Sequence, residues 1–395
     1  MRPVEVAPGI YNVGARDWNI RDFHGYSTHL GTTYNAFLII DDKITLIDTV
    51  KADFTDEMLA NISRVVDPKK IDIVISNHTE MDHSGGIPQL MSIIGTEKPV
   101  YCSKMGAKNL AAHFGTGLNY VPVADGETLN IGKRNLKFIE TRMLHWPDSM
   151  FTYASEDKIL FSSDAFGQHY AGSESFDDEM GALIMPHAKK YFANILTLFS
   201  DLIQKLLKSI GESGLEIKTI CPDHGIIWRR DPGAIISAYN DWSLQKTEEK
   251  ALVLYDSMWH STEIMADEIV SGLLASGVKA IPMQARKWHR SDIMTEMLDA
   301  KALIVGSPTL NNNIFPALMD VMTYIKGLKP TNRIAASFGS YGWSGEAANL
   351  LSTELENMKF KVVEPALRVK YVPDTASRDL CFEFGKKMGE HIKNS

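Results

Sequence analysis

The chain has 395 residues, of which 44% are hydrophobic and 23% are charged, a globular composition that excludes a disordered or collagen-like protein. Aspartate and glutamate outnumber lysine and arginine by 49 to 41, giving a formal net charge of −8, so nucleic acid is not expected as a partner. Three cysteines without a CxxC pair, and no apolar run long enough for a membrane span, predict a cytoplasmic protein that does not bind membranes.

Closely spaced apolar strands dominate the N-terminal part of the chain. Helical stretches are interspersed among them rather than strictly alternating with them. This order predicts an α/β domain over residues 1–248 in which two sheets pack together with helices outside, an αββα sandwich. The predicted strands are residues 33–40, 44–48, 71–77, 136–143 and 158–161, and the predicted helices are residues 52–65 and 195–210.

The segment SNHTEMDHSGG at residues 76–86 directly follows a predicted strand. Alternate side chains of such a loop can face one side, and the glycine pair at its end permits a tight bend. A packed core gains nothing from clustered imidazoles and carboxylates, because buried charges are costly unless they are paired. The segment therefore predicts a site for two neighbouring metals, with four candidate ligands: His78, Glu80, Asp82 and His83.

Three further candidate ligands each follow a predicted strand singly. Taken alone, each could be an ordinary surface residue. Together with the cluster they fit a site built where several strands of a rigid scaffold end. These candidates are His145, Asp164 and His224.

A polar segment at residues 243–250 precedes a change of pattern. Downstream, apolar runs at 251–255, 302–305 and 334–338 alternate with helical stretches such as 263–274 and 346–359. This rhythm predicts a doubly wound parallel sheet over residues 249–395. Ligands of such sheets bind beyond the carboxyl ends of the strands.

The first of these strands leads into a loop rich in hydroxyl groups that precedes a helix. Free amides at a helix N-terminus bind phosphate without lysine or arginine, although such a loop alone could be a simple helix cap. The loop lacks GxGxxG and GK[ST], which disfavours NAD and ATP, and it resembles the phosphate loop of flavodoxins. Its candidate residues are Ser257, Met258, Trp259, His260, Ser261 and Thr262.

The next two strands end in loops that resemble those around the flavin ring in flavodoxins. Backbone groups can bond the polar edge of the ring, and aromatic side chains can stack on its faces, although the aromatic residues could instead belong to the core. The candidates are Pro308, Thr309, Leu310, Asn311, Asn312, Ser340, Tyr341, Gly342, Trp343, Ser344 and Gly345.

The pattern HxExDH, followed by a histidine, an aspartate and a histidine, resembles the metallo-β-lactamase superfamily. Zinc hydrolases of that superfamily usually show HxHxDH. Here Glu80 replaces the second histidine, and an anionic oxygen ligand shifts the preference towards iron or manganese. Combined with the flavodoxin-like domain, the chain resembles the flavodiiron proteins over essentially its whole length.

This resemblance implies two irons and an FMN that relays electrons to them. One iron would be held by His78, Glu80 and His145 and the other by Asp82, His83 and His224, with Asp164 as the bridge between them. The implied reaction reduces dioxygen to water, nitric oxide to nitrous oxide, or both. The implied electron donor is rubredoxin, a rubredoxin-like protein or reduced F420, because the chain itself shows no rubredoxin-like CxxC pair.

The family also implies a head-to-tail homodimer or a dimer of such dimers. Within one chain, the centres of two touching domains of these sizes would lie on the order of 40 Å apart, too far for direct electron transfer. A flavin facing the metals of a second chain removes that gap.

The resemblance further places three residues near the metals: His24, Tyr26 and Tyr191. The first two could donate hydrogen bonds to substrate or water, or could simply pack in a turn. Two other functions remain open, a zinc-dependent hydrolase with a flavodoxin-like accessory domain and a flavin-holding electron carrier or oxygen sensor.

Overall fold

The computed structural model describes residues 2–395 and divides the chain into two compact units. The first runs to Phe23 and includes Thr28–Phe192 and Asp201–Asn240; the second comprises His24–Ser27, Ala193–Ser200 and Asp241–Ser395. Strand β17 begins at Glu248, and the domain boundary predicted after residue 248 stays a prediction.

The chain up to Ser243 carries sixteen strands and eight α-helices among the described residues. The strands are β1 Val4–Ala7, β2 Ile10–Asn12, β3 Ala15–Asp17, β4 Asp22–Phe23, β5 Tyr26–Ser27, β6 Thr32–Tyr34, β7 Phe37–Ile39, β8 Thr45–Ile47, β9 Ile73–Ser76, β10 Pro99–Ser103, β11 Asn119–Val123, β12 Thr128–Asn130, β13 Asn135–Glu140, β14 Met150–Ala154, β15 Ile159–Phe161 and β16 Thr219–Cys221. The helices are α1 Thr55–Ile62, α2 Met81–Ser84, α3 Ile87–Ile94, α4 Lys104–Phe114, α5 Asp177–Met180, α6 Met185–Tyr191, α7 Ser200–Ser213 and α8 Pro232–Ser243.

Two sheets form the centre of the first unit. One has the strand order β1-β2-β7-β8-β9-β10-β11 and the other β12-β13-β14-β15-β16. Buried side chains from both sheets form one apolar cluster, in which the rings of Phe37 and Phe161 are 5.2 Å apart. A second cluster packs α1, α3 and α4 against the outer face of the larger sheet. The predicted sandwich of two sheets is confirmed.

The strand predicted at residues 33–40 is interrupted, and this prediction was wrong in its extent. Asn35 lies between β6 and β7, where its backbone N–H donates to the carbonyl of Asp223 at 2.7 Å. Its side-chain amide donates to the carbonyls of Pro222 and Gly225 at 2.8 and 3.0 Å. These bonds tie the segment to the loop that carries His224, a tertiary contact that an apolar pattern does not reveal.

The second unit contains a parallel sheet with helices around it. Its further strands are β17 Glu248–Tyr255, β18 Lys279–Gln284, β19 Ala300–Gly306, β20 Ile334–Tyr341, β21 Lys361–Val362 and β22 Leu367–Lys370. Its helices are α9 Ser261–Ala275, α10 Arg290–Met297, α11 Pro316–Leu328, α12 Glu346–Asn357 and α13 Thr375–Lys393.

Every strand pair in this sheet is parallel, in the order β18-β17-β19-β20-β21, with β22 also pairing with β20. Buried residues of α9 and α13 pack on the strands as one core, which confirms the flavodoxin-like prediction. β20 continues through Tyr341, so the loop predicted to begin after residue 338 starts three residues later. Within residues 2–395, none of the helices is both long and apolar enough to cross a bilayer.

Candidate functional site

The loop after β9 brings the predicted ligands to the end of that strand. Thr79 N donates to Asp148 Oδ2 at 2.8 Å, and Ser84 Oγ donates to the carbonyl of Thr79 at 2.9 Å. Gly85 adopts an ordinary helical φ of −59°. A Cβ on this residue would collide with the carbonyl of Met81 and the amide of Ala52. The glycine therefore serves close backbone approach rather than the tight bend expected from the sequence.

Four predicted ligands form the first cluster, drawn from three separate loops. Glu80 Oε2 lies 3.2 Å from both His78 Nε2 and His145 Nε2. Asp164 Oδ2 lies 2.9 Å from His145 Nε2 and 3.6 Å from His78 Nε2. The four ligand atoms lie within 4.8 Å of one another, a spacing that could hold a metal ion.

The remaining three predicted ligands form a second cluster beside the first. Asp82 Oδ2 lies 3.3 Å from His83 Nε2 and 3.2 Å from His224 Nε2. All three side chains are buried. This group also satisfies the spacing of a metal site.

Asp164 joins the two clusters because its carboxylate oxygens face opposite ways. Oδ2 faces the imidazoles of the first cluster, whereas Oδ1 lies 3.1 Å from His83 Nε2 and 3.5 Å from His224 Nε2. The structure thus brings all seven predicted ligands together, with one carboxylate placed between two sets of three.

The donor set fits a pair of metal ions. Nitrogen and oxygen ligands of this kind suit iron, manganese or zinc. Two of the atoms facing the centre, His83 Nε2 and Asp164 Oδ1, are buried and make no hydrogen bond within residues 2–395. Buried polar atoms are rarely left in that state without a function, and coordination to metal ions would satisfy them.

Two buried aspartates stand behind the histidines and were not predicted as site residues. Asp148 Oδ2 lies 3.5 Å from His78 Nδ1, and Asp223 Oδ2 lies 3.7 Å from His83 Nδ1. Carboxylates in this position orient an imidazole so that its other nitrogen faces the metal. Their closeness in sequence to predicted ligands could have indicated both residues, because Asp223 directly precedes His224 and Asp148 lies three residues after His145.

Imidazoles and carboxylates in the two clusters form pairs of opposite charge. Burial lowers the pKa of His78, but the nearby carboxylates of Asp148 and Glu80 outweigh burial and raise the pKa to about 10. Burial raises the pKa of Asp164, but His83 and the other imidazoles hold that pKa well below its usual range. Imidazoles and carboxylates therefore stabilise each other's charged forms, as expected for a functional cluster rather than apolar packing.

Aromatic residues and one further histidine line the second cluster. The ring of Tyr191 lies 6.1 Å from that of His224. His169, which was not predicted, lies 4.7 Å from His224 and 5.0 Å from Tyr191, between ring centroids. His24 is exposed and Tyr26 is buried. Both belong to the second unit, so their position near the metals stays a prediction.

A cavity of about 390 Å³ opens at the carboxyl ends of the strands in the second unit. Eleven of its twelve lining residues were predicted from the three loops. The large exposed fractions of Trp259 and Trp343, 85% and 90%, place these side chains at its rim rather than in the core. The predicted lining residues are Met258, Trp259, Ser261, Pro308, Thr309, Leu310, Asn311, Ser340, Tyr341, Gly342 and Trp343.

The other predicted loop residues are not among those that line the cavity. Thr262 Oγ1 lies 2.8 Å from Ser340 Oγ, and Asn312 Oδ1 accepts from Ser344 Oγ at 3.3 Å. Gly345 precedes α12 as its N-cap. Ser257 is 5% exposed, and its Oγ makes no hydrogen bond within the described residues.

His260 directly precedes α9. Its φ of +66° lies in the left-handed region that favours glycine. The side chain is 80% exposed, and its Nδ1 lies 2.7 Å from Glu263 Oε2. The imidazole thus contacts the helix rather than the cavity.

Tyr371 completes the lining and was missed from the sequence. It directly follows β22, and its N–H donates to the carbonyl of Tyr341 at 2.7 Å. The short segment at residues 367–370 could have indicated this residue, because it forms a strand that ends at the same edge of the sheet as the other parallel strands.

Comparisons with known proteins match both parts of the chain. Residues 32–225 match the family model described as ODP family beta lactamase, and residues 253–385 match the flavodoxin model. A protein named nitric oxide reductase from Moorella thermoacetica is 46% identical over 396 residues, covering 99% of each chain. A rubredoxin-oxygen oxidoreductase from Megalodesulfovibrio gigas is 42% identical over 381 residues, covering 95% of this chain and 94% of the relative.

Solved structures show the same architecture. The flavodiiron protein from Giardia intestinalis superposes with a TM-score of 0.96 at 36% identity, covering 100% of this chain and 97% of that chain. The rubredoxin oxygen:oxidoreductase from Desulfovibrio gigas gives a TM-score of 0.97 at 40% identity, covering 100% and 99%. With full-length relatives this similar, the chain belongs to the flavodiiron protein family.

Proposed function

We propose that the protein is an oxidoreductase that reduces dioxygen to water, nitric oxide to nitrous oxide, or both. The observation that carries this proposal is the position of Asp164, whose two oxygens each lie within 3.6 Å of two imidazole nitrogens. A carboxylate shared by two ligand sets suits a reaction that needs two metals side by side. The names of the relatives, nitric oxide reductase and rubredoxin-oxygen oxidoreductase, support the same chemistry.

The ligand assignment follows the two clusters. His78, Glu80 and His145 would hold one iron, and Asp82, His83 and His224 the other, with Asp164 shared. The bound iron pair would supply electrons and open coordination positions for a diatomic gas. Asp148 and Asp223, behind two of the imidazoles, would orient these rings towards the metals, and Tyr191 would lie beside the second iron's ligand His224. We further propose that His24 and Tyr26 contribute hydrogen bonds at this site.

The cavity in the second unit would hold FMN. The phosphate would lie at the N-terminus of α9, where Ser257 and Thr262 supply hydroxyl groups, and the ring would lie among Trp259, Tyr341 and Trp343. FMN accepts electrons in pairs and releases them singly. The electrons would come from an external donor, either rubredoxin, a rubredoxin-like protein or reduced F420.

Metal and flavin analysis combined with a hydrolysis assay tests this function against the hydrolase. We expect two irons and one FMN per chain, and no turnover of a thioester. Glu80, in place of the histidine usual in zinc hydrolases, supports that expectation. Zinc in the purified protein together with thioester hydrolysis would contradict it.

We also propose a head-to-tail homodimer, alone or as a dimer of dimers. The rim residues Trp259 and Trp343 are 85% and 90% exposed in the single chain, and exposed aromatic side chains beside a ligand cavity are typical of a surface that another protein covers. We assign the protein to the cytoplasm, because its three cysteines are free and buried.

A mixed dimer tests the crossed arrangement. One chain would carry His78→Ala and lack the metal site, and the other would carry Ser257→Asp and lack the flavin. Crossed electron transfer predicts partial activity, because one flavin and one metal site remain on opposite chains. The measurement is gas consumption by affinity-purified heterodimers, with each variant homodimer as a control. Heterodimers as inactive as both homodimers would exclude electron transfer between chains.

A further inference from the structure

A buried carboxylate lies at the start of the phosphate loop, directly after β17. Asp256 is fully buried, and its Oδ1 accepts from the backbone N–H of Ser257 at 2.7 Å. Gln284 Nε2 donates to the same oxygen at 3.1 Å. Arg286 Nε donates to both carboxylate oxygens at 3.0 Å. The loop therefore begins at a carboxylate that accepts hydrogen bonds from Ser257, Gln284 and Arg286, all residues of the second unit.

Arg286 binds the other backbone group of Ser257, its carbonyl. Its Nη2 donates to the carbonyl of Ser257 at 2.7 Å and lies 2.9 Å from Asp256 Oδ1. The guanidinium group also lies 4.9 Å from the ring centroid of Phe315. The N–H of Ser257 is thus bound by Asp256 and its C=O by Arg286, which fixes both backbone groups of this residue.

The side chain of Ser257 is left for another partner. Its Oγ is buried and makes no hydrogen bond within residues 2–395, although both backbone groups of the residue are bound. Further along, Thr262 Oγ1 lies 2.8 Å from Ser340 Oγ on β20. The loop is therefore held at both ends, with a buried hydroxyl between them that suits a phosphate oxygen.

The charges of Asp256 and Arg286 affect the binding of a ligand that carries a phosphate group. A buried carboxylate beside a phosphate dianion is repulsive in a region of low dielectric constant, unless a cation neutralises it. Arg286 supplies that cation without being needed on the phosphate itself. Its side chain is 51% exposed, so solvent screening weakens the pair, but its forked hydrogen bonds retain their geometry.

We propose that Asp256 and Arg286 are positioning residues that preform the phosphate loop, and that this pair makes the cavity select a flavin bearing a phosphate monoester over riboflavin. The inference rests on the proposed FMN site. It assigns to the pair a contribution to ligand choice rather than to electron transfer.

Flavin titrations of the full-length protein, stripped of its flavin, test the proposal. Arg286→Met should raise the Kd for FMN by about tenfold or more, because it leaves Asp256 as a buried, unneutralised charge beside the phosphate. The Kd for riboflavin, which has no phosphate, should change little. The double variant Asp256→Asn/Arg286→Met should bind FMN more tightly than Arg286→Met alone, because the repulsive charge is gone.

Lys326→Met is the matched control, since it removes one positive charge from a side chain with the same exposed fraction, 51%, whose partner is Glu354 on α12 rather than a residue of α9 or the phosphate loop. Its Kd for FMN should equal that of the unmodified protein, and all variants should keep their iron content. Equal weakening of FMN and riboflavin in Arg286→Met, or an unchanged Kd for FMN, would overturn the positioning role. An unmodified protein that binds no flavin would instead overturn the proposed FMN site, and this inference with it.

Discussion

Replacing Asp164 with asparagine is expected to lower gas reduction by about 100-fold or more, because even residues that only support a ligand change metal affinity by ten- to a hundredfold. The two oxygens of Asp164 face different clusters, at 2.9 Å from His145 and 3.1 Å from His83. Asparagine keeps the shape of the side chain, but it replaces one carboxylate oxygen with an NH2 group that can neither accept a hydrogen bond nor coordinate a metal, and it removes the negative charge. Iron content per chain and the rate of oxygen or nitric oxide consumption measure the effect.

Asp178→Asn is the control for this substitution, because it makes the same chemical change in the first unit at an exposed residue paired with Arg229. It should keep both irons and the full rate. The account of the shared carboxylate fails if Asp164→Asn also retains two irons and a normal rate.

Replacing Ser257 with aspartate is expected to weaken FMN binding by about 100-fold or more, because two like charges about 4 Å apart repel strongly at the moderate effective dielectric of a protein site. Ser257 is 5% exposed, and its Oγ has no hydrogen-bond partner among the described residues. The new carboxylate would therefore face the phosphate rather than solvent. Donor-driven gas consumption should disappear with the flavin, whereas iron content should stay unchanged.

Ser271→Asp provides the comparison, since Ser271 lies on an exposed part of α9, the helix that follows the loop, and its hydroxyl donates to the carbonyl of Asp267. This variant should bind FMN normally. If Ser257→Asp still purifies with stoichiometric FMN, the phosphate does not bind at this loop.

The sequence predicted the ligands that carry chemistry better than the residues that support them. His78, Glu80, Asp82 and His83 share one short segment, so their clustering was readable from spacing alone. The supporting residues are set by tertiary packing. Asp223 reaches His83 from a loop 140 positions further along the chain, and no local pattern reports such a contact.

The same limit applies to the fold. Apolar periodicity predicted β17, β19 and β20 because buried parallel strands are continuous apolar runs. It did not predict that Asn35 would break the strand at residues 33–40, since that break depends on bonds to the distant residues Pro222, Asp223 and Gly225. Tyr371 was missed for a related reason, because the four-residue strand before it becomes recognisable only beside β20.

The most direct test of the account is gas consumption by the reduced protein. Under anaerobic conditions the protein is reduced, and oxygen and nitric oxide are then added in parallel electrode measurements, with rates normalised to iron and FMN content. We predict rapid, repeated turnover of at least one gas in proportion to iron, and its loss in Asp164→Asn. Fully loaded, reduced protein that consumes neither gas beyond a single turnover would contradict the central claim.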